Sequence, residues 1–62
     1  MVRASQVAKI VAAAEASEQA ADEDPGGPAH QRAWAVEEAA RRNASPAEEQ
    51  AADAAYLRRR GS

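Results

Sequence analysis

The sequence contains no cysteine and no phenylalanine, and it has one tryptophan, one tyrosine and one histidine. Without cysteine, the chain has no disulfide and no thiolate ligand for zinc. Its 28 hydrophobic residues include 19 alanines, so nine larger apolar side chains remain to build a core. A chain of 62 residues with this composition has a small core relative to its surface. We therefore expect residues 1–62 to form a single small domain that is completed by association with another chain.

The sequence also lacks a long apolar run and a strong charge of either sign. Lys9 interrupts the most apolar segment near the N-terminus, so we expect no signal peptide and no membrane span. A cytoplasmic protein is expected on this basis. The formal net charge of −2 gives the chain as a whole no nucleic-acid or membrane signature.

Three segments of the chain favour helix, because alanine, glutamate and glutamine are frequent within them and proline and glycine stand between them. The pattern predicts an all-α fold with helices over residues 4–21, 28–43 and 46–60. A flexible acidic connector, rich in proline and glycine, is predicted at residues 22–27. Its acids lack the alternating oxygen ligands of a calcium loop, so we expect no metal there. The last two helices are joined by a very short link, which predicts an antiparallel helical hairpin.

The link between the second and third helices contains the clearest local signal. Ser45, Pro46 and Glu48 match a capping box, in which serine and glutamate bond each other's backbone N–H groups and proline takes the first helical position. Asn43 suits a left-handed residue that stops the preceding helix. At the start of the first helix Ser5 is a possible N-cap, although no glutamate follows it at the capping-box spacing.

Residues suited to catalysis are scarce. His30 is the only histidine, and the residue one helical turn further on is Trp34 and not a carboxylate. The glutamates of the second and third helices, Glu48 included, are interpreted as solvated charges or partners of helix dipoles. The glycines do not match the phosphate-binding pattern. We expect no enzyme activity, no catalytic residue, no cofactor, no metal and no small-molecule substrate.

The larger apolar side chains lie on one side of the first helix and along the flanks of the predicted hairpin. At 100° per residue the first helix has an apolar side typical of a helix that faces a core, and the alternative is that this side binds another protein's groove. Trp34 points away from the alanine stripe of its helix, so either the first helix covers it or it anchors an intermolecular contact. The residues predicted to be buried between chains are Val7, Ile10, Val11, Trp34, Val36, Tyr56 and Leu57.

Arginines cluster at the ends of the second and third helices. Cations at helix C-termini complement the helix dipoles, which explains these arginines without nucleic acid. No aromatic platform or known motif accompanies them. The residues of the alternative hypothesis, contact with nucleic acid, are Arg41, Arg42, Arg58, Arg59 and Arg60.

Together these features favour a small non-catalytic interaction or assembly protein that acts through helix–helix packing. We expect it to associate with itself, as a homodimer or a larger form, and to bind another protein as an adaptor, accessory subunit or inhibitor. The alternative is a small DNA-associated regulator that uses the arginines at its helix ends.

Overall fold

A computed structural model describes residues 2–61 of the chain. It contains three helices, α1 (Ala4–Glu23), α2 (Pro28–Arg42) and α3 (Pro46–Gly61), and no strand within the described range. The predicted all-α class with three helices is confirmed. The helix starts agree with the prediction, and the ends differ from it by one or two residues.

Prolines start two of the helices. Pro28 and Pro46 are the first residues of α2 and α3, where the missing N–H is not needed and the fixed φ suits the helix. By contrast, α1 begins after Arg3, which has an extended backbone and makes no side-chain cap. The prediction of Ser5 as an N-cap is wrong, because Ser5 already lies inside the helix.

The junction between α2 and α3 forms the predicted capping box. The Glu48 N–H donates to Ser45 Oγ at 3.2 Å, and the Ser45 N–H donates to Glu48 Oε1 at 2.9 Å. Asn43 ends α2 with φ −89° and ψ 5°, so the prediction that it is left-handed is wrong. Its side-chain amide instead donates to the Ala39 carbonyl at 3.0 Å, as its own backbone N–H does at 3.2 Å.

The connector between α1 and α2 is shorter than predicted, because α1 continues to Glu23. The Asp24 N–H donates to the Ala20 carbonyl at 2.9 Å and closes the last turn. Gly26 has a φ of +75°, a conformation that favours glycine. Its N–H donates to Nδ1 of His30 at 3.1 Å, which ties the connector to the first turn of α2.

Helix α1 packs against both other helices, whereas α2 and α3 contact each other much less. Gln6 on α1 donates to the Ala40 carbonyl near the end of α2 at 2.8 Å. Ion pairs join both ends of α1 to α3, Arg3 to Glu48 at the start and Glu18 to Arg60 at the other end. Thus α1 and α3 run in the same direction. The Cα atoms span 36 × 28 × 14 Å, so the arrangement is flat. The hairpin pairing of α2 with α3 stays a prediction, since the main packing runs through α1.

The core is small and lies where α1 meets the other helices. Ile10 is 1% exposed and packs with Val11 and Ala52. Partly buried neighbours surround this cluster: Val7, Ala40, Ala44 and Ala55. The predicted apolar side of α1 therefore faces the chain's own core. Ile10 and Val11, predicted to be buried between chains, lie inside the molecule because α2 and α3 cover that side of α1.

Candidate interaction surfaces

The largest apolar side chains outside the core are on the surface. Trp34 is 54% exposed, Val36 62% and Leu57 66%. Two of them belong to α2, and none of the residues of α2 is buried. The buried hydrophobic residues of the core are Ile10, Val11, Ala13 and Ala52. Most of the chain's bulky apolar area is thus outside its core.

The remaining predicted interface residues are half-buried. Val7 packs against the core cluster on α1. Tyr56 lies on α3, and the guanidinium carbon of Arg60 sits 5.9 Å from the centroid of its ring, within the range of a cation–π contact. The predicted set therefore divides into core residues, half-buried residues and an exposed group of Trp34, Val36 and Leu57.

Trp34 lies on an exposed strip of α2. The strip contains Gln31, Trp34, Ala35 and Glu38, which follow the spacing of one helix face and are all exposed. We call these four residues the Trp34 face. Beside it, the indole borders a shallow recess of about 310 Å³ with Gly26, His30 and Gln31. Because α1 packs on another side of α2, it leaves this face open, so the hypothesis that α1 covers Trp34 does not describe this fold.

An apolar groove runs along the outer side of the α1–α3 contact. Its volume is about 670 Å³, and Arg58, Arg59 and Glu15 lie at its polar edge. We call it the alanine groove after its floor, which is lined by Val2, Ala4, Val7, Ala8, Val11, Ala12, Ala51 and Ala55. Sequence reasoning missed this groove. The repeated spacing of Ala4, Ala8 and Ala12 is a signal of a smooth helix surface, but it does not indicate which helix lies beside it.

An ion pair between buried Glu48 and exposed Arg3 fixes the start of α1 to the junction of the other two helices. Glu48 is 1% exposed and accepts hydrogen bonds from the Arg3 backbone N–H at 2.7 Å and from Arg3 Nε at 2.9 Å. Arg3 Nη2 also donates to Glu48 Oε1 at 3.1 Å and to the Asn43 carbonyl at 2.8 Å. These bonds from Arg3, with the backbone bond from Ser45, hold the pKa of Glu48 far below its usual range. Of the two interpretations of Glu48, the solvated charge is wrong because the residue is buried, whereas its place in the first turn of α3 is that of a helix-dipole partner.

Most of the predicted nucleic-acid residues have carboxylate partners in the chain. Arg41 bonds Asp53 at 2.9 Å and Glu37 at 3.2 Å, and these hydrogen bonds raise the pKa of Arg41. Arg59 pairs with Glu15. At the end of α3, Arg60 lies 3.7 Å from Glu18. Arg58 also interacts within the chain, and Arg42 is exposed. The two clusters lie near opposite ends of α3, which is about 24 Å long at the helical rise.

Side chains that could hold a metal ion do not gather in the described part of the chain. Among residues 2–61, no three histidine, cysteine, aspartate or glutamate side chains are placed to bind one ion. In the same range, each helix is too short or too polar to cross a membrane.

Comparisons of the chain with protein-family models, with curated proteins and with solved structures find no match.

Proposed function

We propose that this chain is a non-catalytic interaction and assembly protein that acts through helix–helix packing and associates with itself. The observation that carries the proposal is Trp34, which is 54% exposed on a helix that buries none of its residues. Tryptophan is enriched among the residues that dominate binding energy at protein interfaces.

The small core supports the same proposal. Ile10 and Val11 are the larger buried hydrophobic side chains, and the rest of the buried apolar set is alanine. A chain of this size usually needs a further source of stability, and association supplies one where disulfides are absent. Adaptor, accessory subunit and inhibitor are roles that a surface of this type serves.

The proposal is tested by the mass of the protein in solution across a dilution series, measured by sedimentation velocity. We expect the mass to rise with concentration, and the emission of Trp34 to shift to shorter wavelength as the indole is covered. Trp34→Ala should weaken association by about 2 kcal/mol or more, which is about 30-fold in the dissociation constant. Gln19→Ala, an exposed change on α1, is the matched control and should leave association unchanged.

A folded wild-type chain that stays monomeric at every concentration would contradict the proposal. An unchanged association constant in Trp34→Ala would show that this residue is not the anchor. Circular dichroism of both variants separates lost association from lost helix.

Binding to nucleic acid stays an alternative prediction, less supported than association. The carboxylates paired with Arg41, Arg59 and Arg60 offset much of their charge. Phosphate contacts by several arginines would make affinity fall steeply with added salt. A gel-shift titration at low and at moderate salt measures this directly.

A further inference from the structure

The alanine groove and the Trp34 face are complementary in shape. The floor of the groove is made of five alanines and three valines along α1 and α3, and its volume of about 670 Å³ is open to solvent. The Trp34 face presents one large side chain beside the small Ala35. A bulky side chain on one helix packs into the space that small residues leave on its neighbours.

The α3 side of the groove has the same residue spacing as the Trp34 face. On α3 the groove is lined by Ala51, Ala55 and Arg58, at positions i, i+4 and i+7. On α2 the exposed face has Gln31, Ala35 and Glu38 at the same intervals, with Trp34 beside the middle residue. Each set spans about 10 Å along its helix.

Their charges are opposite where the apolar parts end. The groove floor ends at two basic residues, Arg58 and Arg59. Glu15 is the acidic residue that lines the groove. The Trp34 face ends at Glu38, which is exposed. Arg59 pairs with Glu15, and Arg58 has interactions within the chain as well, so an incoming carboxylate adds to existing contacts. When a helix with the sequence of α2 lies along the groove in the direction of α3, Trp34 meets the alanines and Glu38 meets Arg58.

We infer that the alanine groove of one copy receives α2 of a second copy, with Trp34 seated on the alanine floor and Glu38 beside Arg58. This inference rests on the proposed function, since it names the two surfaces through which the chain associates with itself. The occupant is a second copy because this chain carries on its own α2 the large side chain, the spacing and the charge that fit the groove.

The contact has a consequence for the form of the assembly. The groove lies on α1 and α3 whereas the Trp34 face lies on α2, so the two halves of the contact are different surfaces. When two copies share one such contact, one copy keeps an unused Trp34 face and the other keeps an unused groove. A single contact of this kind continues into a chain of copies or closes into a ring, whereas two reciprocal contacts between the same two copies give a two-fold dimer.

The test uses two variants that each lose one half of the contact. Ala8→Arg places a long side chain in the groove at an exposed position of α1, and Trp34→Ala removes the side chain that fills it. Each variant alone should be a monomer where the wild type associates. Mixed together, they should form a one-to-one dimer, because the intact groove of one accepts the intact Trp34 face of the other. Ala16→Arg, the same change at an exposed α1 position outside the groove, should associate as the wild type does.

The contact between Glu38 and Arg58 is tested by exchanging the charges of the two residues. Glu38→Arg should weaken association about two- to fivefold, as expected for an ion pair at the rim of an interface. Combining it with Arg58→Glu should recover most of that loss, because the pair is restored with its signs reversed. Two unrelated charge changes would instead add their effects.

The outcomes separate this inference from the proposed function. A monomeric wild type overturns both. A wild type that associates with an affinity unchanged by Ala8→Arg overturns the inference alone, as does a mixture of the two variants that stays monomeric. If the wild type is monomeric and an apolar fluorescent dye binds it but not Ala8→Arg, the groove takes a small apolar ligand and the inference is overturned.

Discussion

Shortening the Ile10 side chain tests whether the small core at the α1 contacts stabilises this fold. Ile10→Val removes one methylene from a side chain that is 1% exposed. Such a change typically costs about 0.5–1.5 kcal/mol, depending on how well the surroundings close the gap. Here the neighbours include Ala40, Ala44, Ala52 and Ala55. Because an alanine side chain has no alternative rotamer with which to fill space, we expect a cost in the upper half of this range, about 1–1.5 kcal/mol.

The melting temperature is the natural measurement. In a domain of this size each kcal/mol lowers it by about 4–8 °C, so Ile10→Val should melt about 4–12 °C below the wild type. Circular dichroism melts should be recorded at concentrations below association, because binding between copies raises the apparent stability.

Val36→Ala is the control, since it removes apolar carbon from a residue that is 62% exposed. It should change stability by no more than about 0.5 kcal/mol. If the two variants melt at the same temperature, or if Ile10→Val melts with the wild type, Ile10 is not the centre of the core and the packing described here is wrong.

Two further predictions concern the junction between α2 and α3. Ser45→Ala should cost about 1 kcal/mol, because the first turn of α3 loses its cap, whereas Ser45→Thr should keep most of it; equal melting temperatures for the two would count against the cap. The folded-state pKa of Glu48 is depressed, so the stability it contributes is present above its unfolded value of about 4.5 and is lost as the pH falls through the folded value. Urea titrations from neutral pH into acid measure this, with Glu49→Gln as the control. Glu48→Gln should be less stable than the wild type at neutral pH and should lose less stability below about pH 4.5. Parallel pH profiles of stability for Glu48→Gln and the wild type would refute the role of this ion pair.

The local features of the fold were predictable because their causes lie within a few residues of each other. Pro28 and Pro46 start helices through their own geometry. Ser45 and Glu48 are three residues apart, so the capping box is visible in the sequence. The residue type of Asn43 did not predict how α2 ends. Two hydrogen bonds from Asn43 to the Ala39 carbonyl end the helix without a left-handed residue.

The surfaces were less predictable because they depend on which helices meet. The periodicity of the sequence predicts the apolar side of α1, but it does not specify whether that side packs against the same chain or another one. In the structure Ile10 and Val11 are core residues of the same chain. The alanine groove exists because α3 lies along α1, a relation between residues far apart in sequence. In the same way, the burial of Glu48 follows from Arg3, which is 45 residues away.

The bond between Arg3 and Glu48 also bears on the order in which the molecule folds during synthesis. Arg3 leaves the ribosome 45 residues before Glu48, the residue with which it pairs. Contacts between residues so far apart form late, because the chain between them must first be closed into a loop. Until the first turns of α3 emerge, the apolar side of α1 has neither its ionic anchor nor Ala52 to cover Ile10. A nascent chain that stops before α3 therefore leaves Ile10 without its cover from α3, and a ribosome-bound fragment ending before Glu48 should be more sensitive to protease than residues 1–62.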